Sequence, residues 1–322
     1  MNKKVLSEKV PEIAMKALAA FSFVLIIFIF IFIFSRAWPV LRASGIGFLI
    51  RTGFDAQIRD AFYSSAGDPM LVFGMYGLIS GTIAISLFAV LIASVAGVGG
   101  AIAICELAPR RLVHILTAFV RLLASIPSVI FGLIGIITVV PMIQGAFVTD
   151  SLVISYLDRF QITGRGLLAS IIVLTFMVMP TVISLSIDAI NAVPISYKEA
   201  GFAFGMSKFR VIWIILLPTA RSGIKASIIL AFGRGIGEAI AVSMVCGGLG
   251  IAPDLSRGLV SLLAPVLPLS SAIINKSEAM GSSAVEAALF SCAAILLIMG
   301  TLLSLCAKFI AHRQRKAIGY DS

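Results

Sequence analysis

Two ionisable residues, Arg234 and Glu238, lie inside an apolar stretch of this chain, in the motif GRGIGEA. An ionisable side chain at mid-membrane costs about 2.5–3.5 kcal/mol on insertion scales, so it is a candidate functional residue. The i, i+4 spacing places both on one helix face, close enough to pair. We expect this face to line a pathway for an anion that Arg234 attracts and whose binding Glu238 moderates. The alternative is an internal ion pair that only joins helices.

Three glycines, Gly233, Gly235 and Gly237, alternate with the residues of this motif. They leave room for close approach of another helix or for a hydrated passage. The same GxGxG pattern is found in dinucleotide-binding loops, but those follow a β-strand. This one lies within an apolar span, which favours a role in helix packing.

The rest of the chain offers little material for bond chemistry. The four cysteines are scattered, with no CxxC or Cys/His spacing, so we expect neither a metal site nor a disulfide framework. A P-loop of the form GxxxxGK[ST] is absent, so the chain is not expected to hydrolyse ATP by that route. Glu106, Asp188 and Glu286 are the other acids beside apolar runs, and they fall at the ends of those runs. We therefore expect no enzyme activity and no cofactor.

The composition excludes a soluble globular protein. Of the 322 residues, 60% are hydrophobic and 12% are charged, whereas an average domain has about a quarter charged residues. The pattern predicts an all-α, polytopic membrane protein with about six transmembrane helices of roughly 20 residues or more. The predicted spans are residues 17–34, 71–104, 127–147, 166–187, 223–247 and 284–307.

Three segments need separate interpretation. The run 71–104 would extend roughly 50 Å as a helix, so it is either tilted or continues beyond the membrane. Residues 105–125 are basic with apolar residues at helical spacing, which predicts an amphipathic helix along one membrane face. Residues 259–274 are apolar but short and contain Pro265 and Pro268, which favours a re-entrant or external segment over a seventh span.

The basic residues set the expected orientation. The net charge is +10, but no basic patch is interleaved with aromatic residues, so we expect no nucleic-acid partner. The segments that six spans would place on one side hold 16 of the 25 Lys and Arg residues. Basic residues favour the cytoplasmic side and contact with anionic lipid. We therefore predict a multi-pass protein of the cytoplasmic membrane with both termini in the cytoplasm.

The stretch Glu199–Pro218, EAGFAFGMSKFRVIWIILLP, is a polar and basic interruption between two apolar spans. Glu199–Ala203 is compatible with a helix, and Gly205 permits a turn. Phe209–Leu217 then forms a second amphipathic piece, which we expect Pro218 to end. The stretch predicts a short helix-turn-helix at the membrane surface.

This stretch resembles the cytoplasmic coupling loop of ABC importer permeases. The matching positions are Glu199, Ala200, Gly205, Ile215, Leu217 and Pro218, with Gly201 where the pattern has alanine. Glu106-Leu-Ala-Pro-Arg-Arg, Ser125-Ile-Pro-Ser-Val and residues 216–248 extend the resemblance to the phosphate ABC importer permeases. The form GRxxGExxAVxM is more similar to the PstC type than to the sister PstA type.

The resemblance implies a type I ABC importer permease fold and import of inorganic phosphate. It implies three kinds of partner: a second permease subunit in a heterodimer, two ATPase subunits at the cytoplasmic face, and an extracytoplasmic phosphate-binding protein. Arg234 and Glu238 correspond to the residues that matter for transport. Residues 1–70 would be the basic segment, first span and external loop, 71–312 the permease core with coupling loop 195–222, and 313–322 a cytoplasmic tail.

Other functions remain open at this point. A permease for sulfate or molybdate would carry the same coupling loop, but the GRGIGEA span would not be expected in it. A PstA-type sister subunit is a further alternative. An ATP-independent channel or membrane sensor, and an intramembrane enzyme, belong to different classes. Genomic neighbours that encode an ATPase, a second permease and a secreted binding protein would exclude those last two classes.

Overall fold

The computed structural model describes residues 3–63, 71–254, 256 and 258–317, so the predicted segments 1–70 and 313–322 lie partly outside the described residues. Its α-helices are α1 (Lys3–Ser44), α2 (Phe54–Tyr63), α3 (Tyr76–Ile102), α4 (Arg110–Ala124), α5 (Ser128–Ile134), α6 (Val140–Phe147), α7 (Asp150–Tyr156), α8 (Leu167–Asn191), α9 (Ile195–Ala203), α10 (Lys208–Val211), α11 (Leu217–Gly237), α12 (Ile240–Val245), α13 (Leu259–Leu263), α14 (Leu269–Asn275) and α15 (Ser283–Ala317). Short 3-10 helices cover Gly45–Leu49 and Ser277–Ala279. The described chain has no named β-strand, so the predicted all-α class is confirmed.

Within the described ranges, six helical segments are long and apolar enough to cross a membrane, as predicted. They are Glu12–Leu49, Tyr76–Leu107, Ser128–Phe147, Leu167–Asn191, Lys208–Gly237 and Ser283–Cys306. Three of them contain a π-helical turn: Ala103–Leu107, Gly135–Val139 and Ile212–Leu216. A π-turn adds one residue to the helical repeat without ending the helix.

The fourth span, α8, is the central helix of the bundle. In its most apolar stretch 61% of the residues are buried, against 28% or less in the other five spans. It packs along α3 and α11. The close approach of α3 depends on Gly97, because a Cβ there would lie 2.8 Å from Cγ1 of Val182. Gly97 thus allows the second and fourth spans to pack closely.

The fifth span differs from its prediction at both ends. It begins earlier than residue 223, because α10, a π-turn and α11 run on from Lys208 without a break. Pro218 lies in the first turn of α11 and does not end the preceding piece, because it directly follows the π-turn Ile212–Leu216, where the ordinary i−4 hydrogen-bond pattern is already interrupted. The span also ends earlier, at Gly237, and a separate helix α12 follows.

Residues 258–276 form two short helices, α13 and α14, and no seventh span, as the prolines predicted. The segment is not a surface feature. Val266, Leu267, Leu269 and Ala272 have no exposed surface, and α14 packs against α3, α12 and α15. It therefore packs against the other helices of the bundle, and its re-entrant or external position in the membrane stays a prediction.

The amphipathic stretch forms α4, which packs against α8 through the buried Val120. Most of its apolar residues, including Leu112, Ile115 and Phe119, stay exposed. The first span, α1, contacts α15, but none of the residues in its most apolar stretch is buried. Both helices thus present apolar surface outward.

Candidate substrate pathway and coupling surface

The fifth span is interrupted between Arg234 and Glu238, the two residues expected to line an anion pathway. Helix α11 ends at Gly237, and Glu238 takes an extended backbone conformation with φ −70° and ψ 116°. The next helix begins at Ile240. Oε1 of Glu238 accepts a hydrogen bond from the backbone N–H of Ala241 at 3.0 Å. Its carboxylate therefore caps α12 and is directed away from the face of α11.

Arg234 is bound by a different helix. Its Nη1 donates a hydrogen bond to Oγ1 of Thr181, in α8, at 2.9 Å. The predicted ion pair between Arg234 and Glu238 is wrong for the described structure, because the helix ends between them and i, i+4 geometry is lost. The guanidinium thus has a neutral hydrogen-bond acceptor, and Glu238 does not neutralise its charge.

Arg234 lines a groove of about 1110 Å³ between α11 and α15, to which α1 contributes Phe30. Lys225 and Lys308 lie in the same groove, and none of its described lining residues is acidic. The hydroxyl-bearing residues at its wall are Thr181, Ser222, Thr301 and Ser304. Three cations and several hydroxyls without a carboxylate favour an anionic occupant.

The sequence pattern does not predict that Lys225 and Lys308 border the same groove as Arg234. Lys225 lies near the start of the predicted fifth span and Lys308 directly after the predicted sixth span, and in the structure both lie in long helices that border the groove. Thr181 was missed as well. Its neighbour Pro180 was the only signal near it, and Pro180 lies inside a continuous helix.

The predicted coupling loop folds as a helix-turn-helix. Helix α9 carries Glu199 and Ala200 on its exposed side, and Gly205 makes the turn with φ +73°, a conformation that favours glycine. The second arm is α10 with its π-turn, which holds Ile215, and Leu217 and Pro218 follow in the first turn of α11.

The tip of this loop is apolar and exposed. Phe204 is 84% exposed, and Tyr197, Phe202 and Phe209 are each at least half exposed. Several large apolar side chains exposed on one short loop are typical of a protein interaction site.

Gly201, the one departure from the coupling-loop pattern, is buried between the two arms. A Cβ at this position would lie 2.6 Å from Cδ1 of Ile215 and 3.0 Å from Cγ2 of Val211. The glycine therefore lets α9 approach the second arm more closely than alanine would. Ile215, another position of the pattern, is the contact it makes.

Two ion pairs connect this side of the molecule to neighbouring helices. Lys198 of α9 pairs with Glu106 in the π-turn after α3, and both side chains are largely shielded from solvent. Arg121 of α4 pairs with Asp188 of α8 at 2.9 Å, with both side chains more than half exposed. The shielded pair fixes α9 directly to the second span.

The predicted site residues thus form two separate groups. The coupling-loop positions lie together around α9 and α10. Arg234 and Glu238 lie at the far end of α11, about 25 Å from Leu217 along the helix. One continuous helix joins the two groups.

Solved structures with a similar fold define the class of protein. An inward-facing methionine transporter, MetNI, matches with a TM-score of 0.53 at 18% identity, over 72% of this chain and 92% of that chain. A bacterial ABC transporter for the polysaccharide alginate matches with a TM-score of 0.56 at 14% identity, over 97% of this chain and 99% of that chain. The fold is that of an ABC importer permease.

Sequence comparison then gives the family. The family described as binding-protein-dependent transport system inner membrane component matches residues 89–316. The chain belongs to this family and is a multi-pass membrane protein.

Three relatives are similar over most of their length. "Probable ABC transporter permease protein YqgH" of Bacillus subtilis is 31% identical, over 76% of this chain and 73% of that protein. "Phosphate transport system permease protein PstC" of Mesorhizobium japonicum is 30% identical, over 87% and 83%. "Phosphate transport system permease protein PstC 1" of Mycobacterium tuberculosis is 32% identical, over 75% and 73%.

Proposed function

We propose that this chain is the PstC-type permease subunit of an ATP-driven importer of inorganic phosphate in the cytoplasmic membrane. The observation that carries the proposal is a largely apolar groove whose charged lining residues in the described structure are all cations, Lys225, Arg234 and Lys308. The names of the relatives, which include several phosphate permeases, support the same cargo.

Arg234 is the residue that we assign to the anion. Its guanidinium donates a hydrogen bond to the Thr181 hydroxyl, and no acidic residue is among the described residues that line the groove beside it. A guanidinium presents paired N–H donors that match the oxygens of a phosphate ion. Lys225 and Lys308 attract the same ion further along the groove. Glu238 lies beside this pathway, because its carboxylate is bound to the N–H of Ala241.

The energy for import comes from partner subunits that hydrolyse ATP. Two ATPase subunits lie at the cytoplasmic face of the complex, and we place one of them at the exposed apolar tip of this coupling loop, around Phe204. Movement of α9 reaches the second span through the Lys198–Glu106 pair and the groove through α11. A second permease and an extracytoplasmic phosphate-binding protein complete the transporter. With the basic segments inside, both termini are cytoplasmic.

Uptake of radiolabelled phosphate tests this function. Cells that lack this subunit are compared with cells in which it is restored, together with its ATPase, sister permease and binding protein. We expect restored, ATP-dependent uptake that unlabelled phosphate blocks and a hundredfold excess of sulfate or molybdate leaves intact. Equal competition by sulfate would assign another oxyanion. Uptake that continues after ATP depletion would indicate a channel.

A further inference from the structure

The break between α11 and α12 exposes main-chain carbonyl groups inside the helical bundle. An unsatisfied backbone group in the apolar interior of a membrane costs several kcal/mol. Two neighbouring serines of helix α14 donate to carbonyls at this break. The Ser270 hydroxyl donates to the carbonyl of Glu238 at 2.8 Å, and the Ser271 hydroxyl donates at 3.2 Å to the carbonyl of Ala239, which also accepts a hydrogen bond from the N–H of Ser243 at 3.0 Å.

These serines are fixed in place by the second span. The backbone N–H of Leu269, directly before Ser270, donates to Oγ1 of Thr82 at 2.9 Å. The Thr82 hydroxyl in turn donates to the carbonyl of Leu78 within α3 at 2.7 Å. Both serines are buried, at 4% exposure or less. The break is therefore bound to α3 through a chain of buried hydrogen bonds.

The other end of α12 is held by the segment that contains α14. The N–H of Val266 donates to the carbonyl of Cys246 at 2.8 Å, and the N–H of Gly248 donates to the carbonyl of Val266 at 3.2 Å. Residues 258–276 thus contact both ends of a six-residue helix that has few hydrogen bonds of its own. Such a helix is not stable alone, because nucleation is unfavourable.

We propose that Glu238, Ser270 and Ser271 form a clasp that positions Arg234 in the groove. Arg234 lies in the last turn of α11, three residues before the helix ends at Gly237, and the clasp holds this end of α11 against α14. In this clasp Glu238, which precedes the N-cap residue Ala239, accepts a hydrogen bond from the first turn of α12, and its negative charge is not the required property. The proposal rests on the proposed function, because its readout is phosphate transport by the complete transporter.

The substitutions separate the acceptor from the charge. Glu238→Gln keeps an oxygen that accepts from Ala241 but removes the charge, whereas Glu238→Ala removes both. We expect uptake by Glu238→Gln to exceed uptake by Glu238→Ala about tenfold, which corresponds to the upper part of the range for loss of a helix N-cap. Equal loss in both variants would show that the charge is required and would overturn the proposal.

A second set of variants tests the serines against a matched control. Ser261 lies in the same segment and is equally buried, but its hydroxyl has no hydrogen-bond partner in the described structure. Removal of both clasp hydroxyls, Ser270→Ala with Ser271→Ala, should lower the maximal uptake rate per assembled complex about tenfold with the KM unchanged. Ser261→Ala should leave both values unchanged. An equal loss for Ser261→Ala, or a normal rate per complex in the double variant, would contradict the clasp.

The amount of assembled complex in the membrane is measured for every variant, so a defect in folding is separated from a defect in turnover. ATP hydrolysis by the purified transporter in lipid vesicles ranks the same variants independently of the cargo. Absence of phosphate uptake by the unmodified protein would refute the proposed cargo alone. An ATPase ranking in which Glu238→Gln is no better than Glu238→Ala would refute the clasp alone.

Discussion

The two ends of the fifth span differ in whether their polar and apolar groups find partners within this chain. At the broken end, the Glu238 carboxylate and the carbonyls of Glu238 and Ala239 all find partners within the chain. At the coupling end, Phe204 and Phe209 remain 84% and 65% exposed. One end is completed by the fold of this chain, whereas the other end leaves apolar surface for a partner.

This difference predicts two kinds of mutational effect. Substitutions at the broken end should change transport by an assembled complex, because their contacts are internal. Substitutions at the coupling end should change the assembly with the ATPase or the transfer of movement, because their contacts are with neighbours. Four substitutions test this division, and they are ranked here from the largest expected effect on phosphate uptake to the smallest.

Arg234→Gln should lower phosphate uptake at least a hundredfold without reducing the amount of assembled complex. Glutamine can still bond to Thr181, but the positive charge that attracts the anion is lost. Uptake of radiolabelled phosphate, normalised to the subunit content of the membrane, is the measurement. Arg221→Gln is the matched control, since Arg221 is an exposed arginine in α11 that does not line the groove. Full uptake by Arg234→Gln would remove Arg234 from the pathway.

Phe204→Asp should lower uptake about tenfold through loss of the ATPase from the complex. The aspartate places a charge in the apolar tip of the coupling loop, where the proposed partner would have to desolvate it. The measurement is co-purification of the ATPase with the permease, followed by uptake. Met15→Asn is a control for exposed apolar surface in general, because Met15 is 64% exposed on α1. Normal ATPase binding by Phe204→Asp would move the docking surface elsewhere.

Lys198→Glu should lower uptake about fivefold, because it places two carboxylates together where the Lys198–Glu106 pair is shielded from solvent. The exchanged pair, Lys198→Glu with Glu106→Lys, should recover part of the loss. The exposed Arg121–Asp188 pair is the comparison, and Arg121→Gln should change uptake less than twofold. A loss in the exchanged pair as large as in the single variant would argue against a role for the ion pair in coupling.

Gly201→Ala should change uptake less than twofold and lower the melting temperature of the complex by only a few degrees. The added methyl group meets Cδ1 of Ile215, the mobile end of a side chain, so a rotamer change can relieve the contact. Gly201→Val is the comparison variant, and it should lose uptake, because a branched side chain needs more room than a rotamer change of Ile215 can provide. If Gly201→Ala lost as much uptake as Gly201→Val, then α9 and the second arm of the coupling loop could not move apart even enough to admit one methyl group, and the prediction would be wrong.

Much of the fold follows from local sequence properties. The lengths of the apolar runs predicted six spans, and the turn at Gly205 followed from the glycine between two helix-compatible stretches. That residues 258–276 form no seventh span was indicated by Pro265 and Pro268. These features depend on residues that are close together in the sequence, so the sequence alone is enough to predict them.

The details of the pathway depend on contacts between distant residues. Glu238 and Ser270 are 32 positions apart, and Arg234 and Thr181 are 53 apart. No proline marks the break at Glu238, and the helix ends there because α14 offers hydrogen bonds to the freed carbonyls. The error over Pro218 has a related cause, since the π-turn before it lets the helix continue where an ordinary helix would be disrupted.

The π-turn Ile212–Leu216 also sets an angular relation between the two ends of the span. One extra residue in a helix turns everything beyond it by about 100° relative to what precedes it. Ile215, which lies in this turn, contacts Gly201 of the coupling loop. The turn therefore sets the angle about the helix axis between that contact and the Arg234 side chain. Deletion of a single residue in this turn would leave both ends chemically intact but aim Arg234 at another wall of the bundle. The π-turn therefore fixes the angle about the helix axis between the coupling loop and the Arg234 side chain.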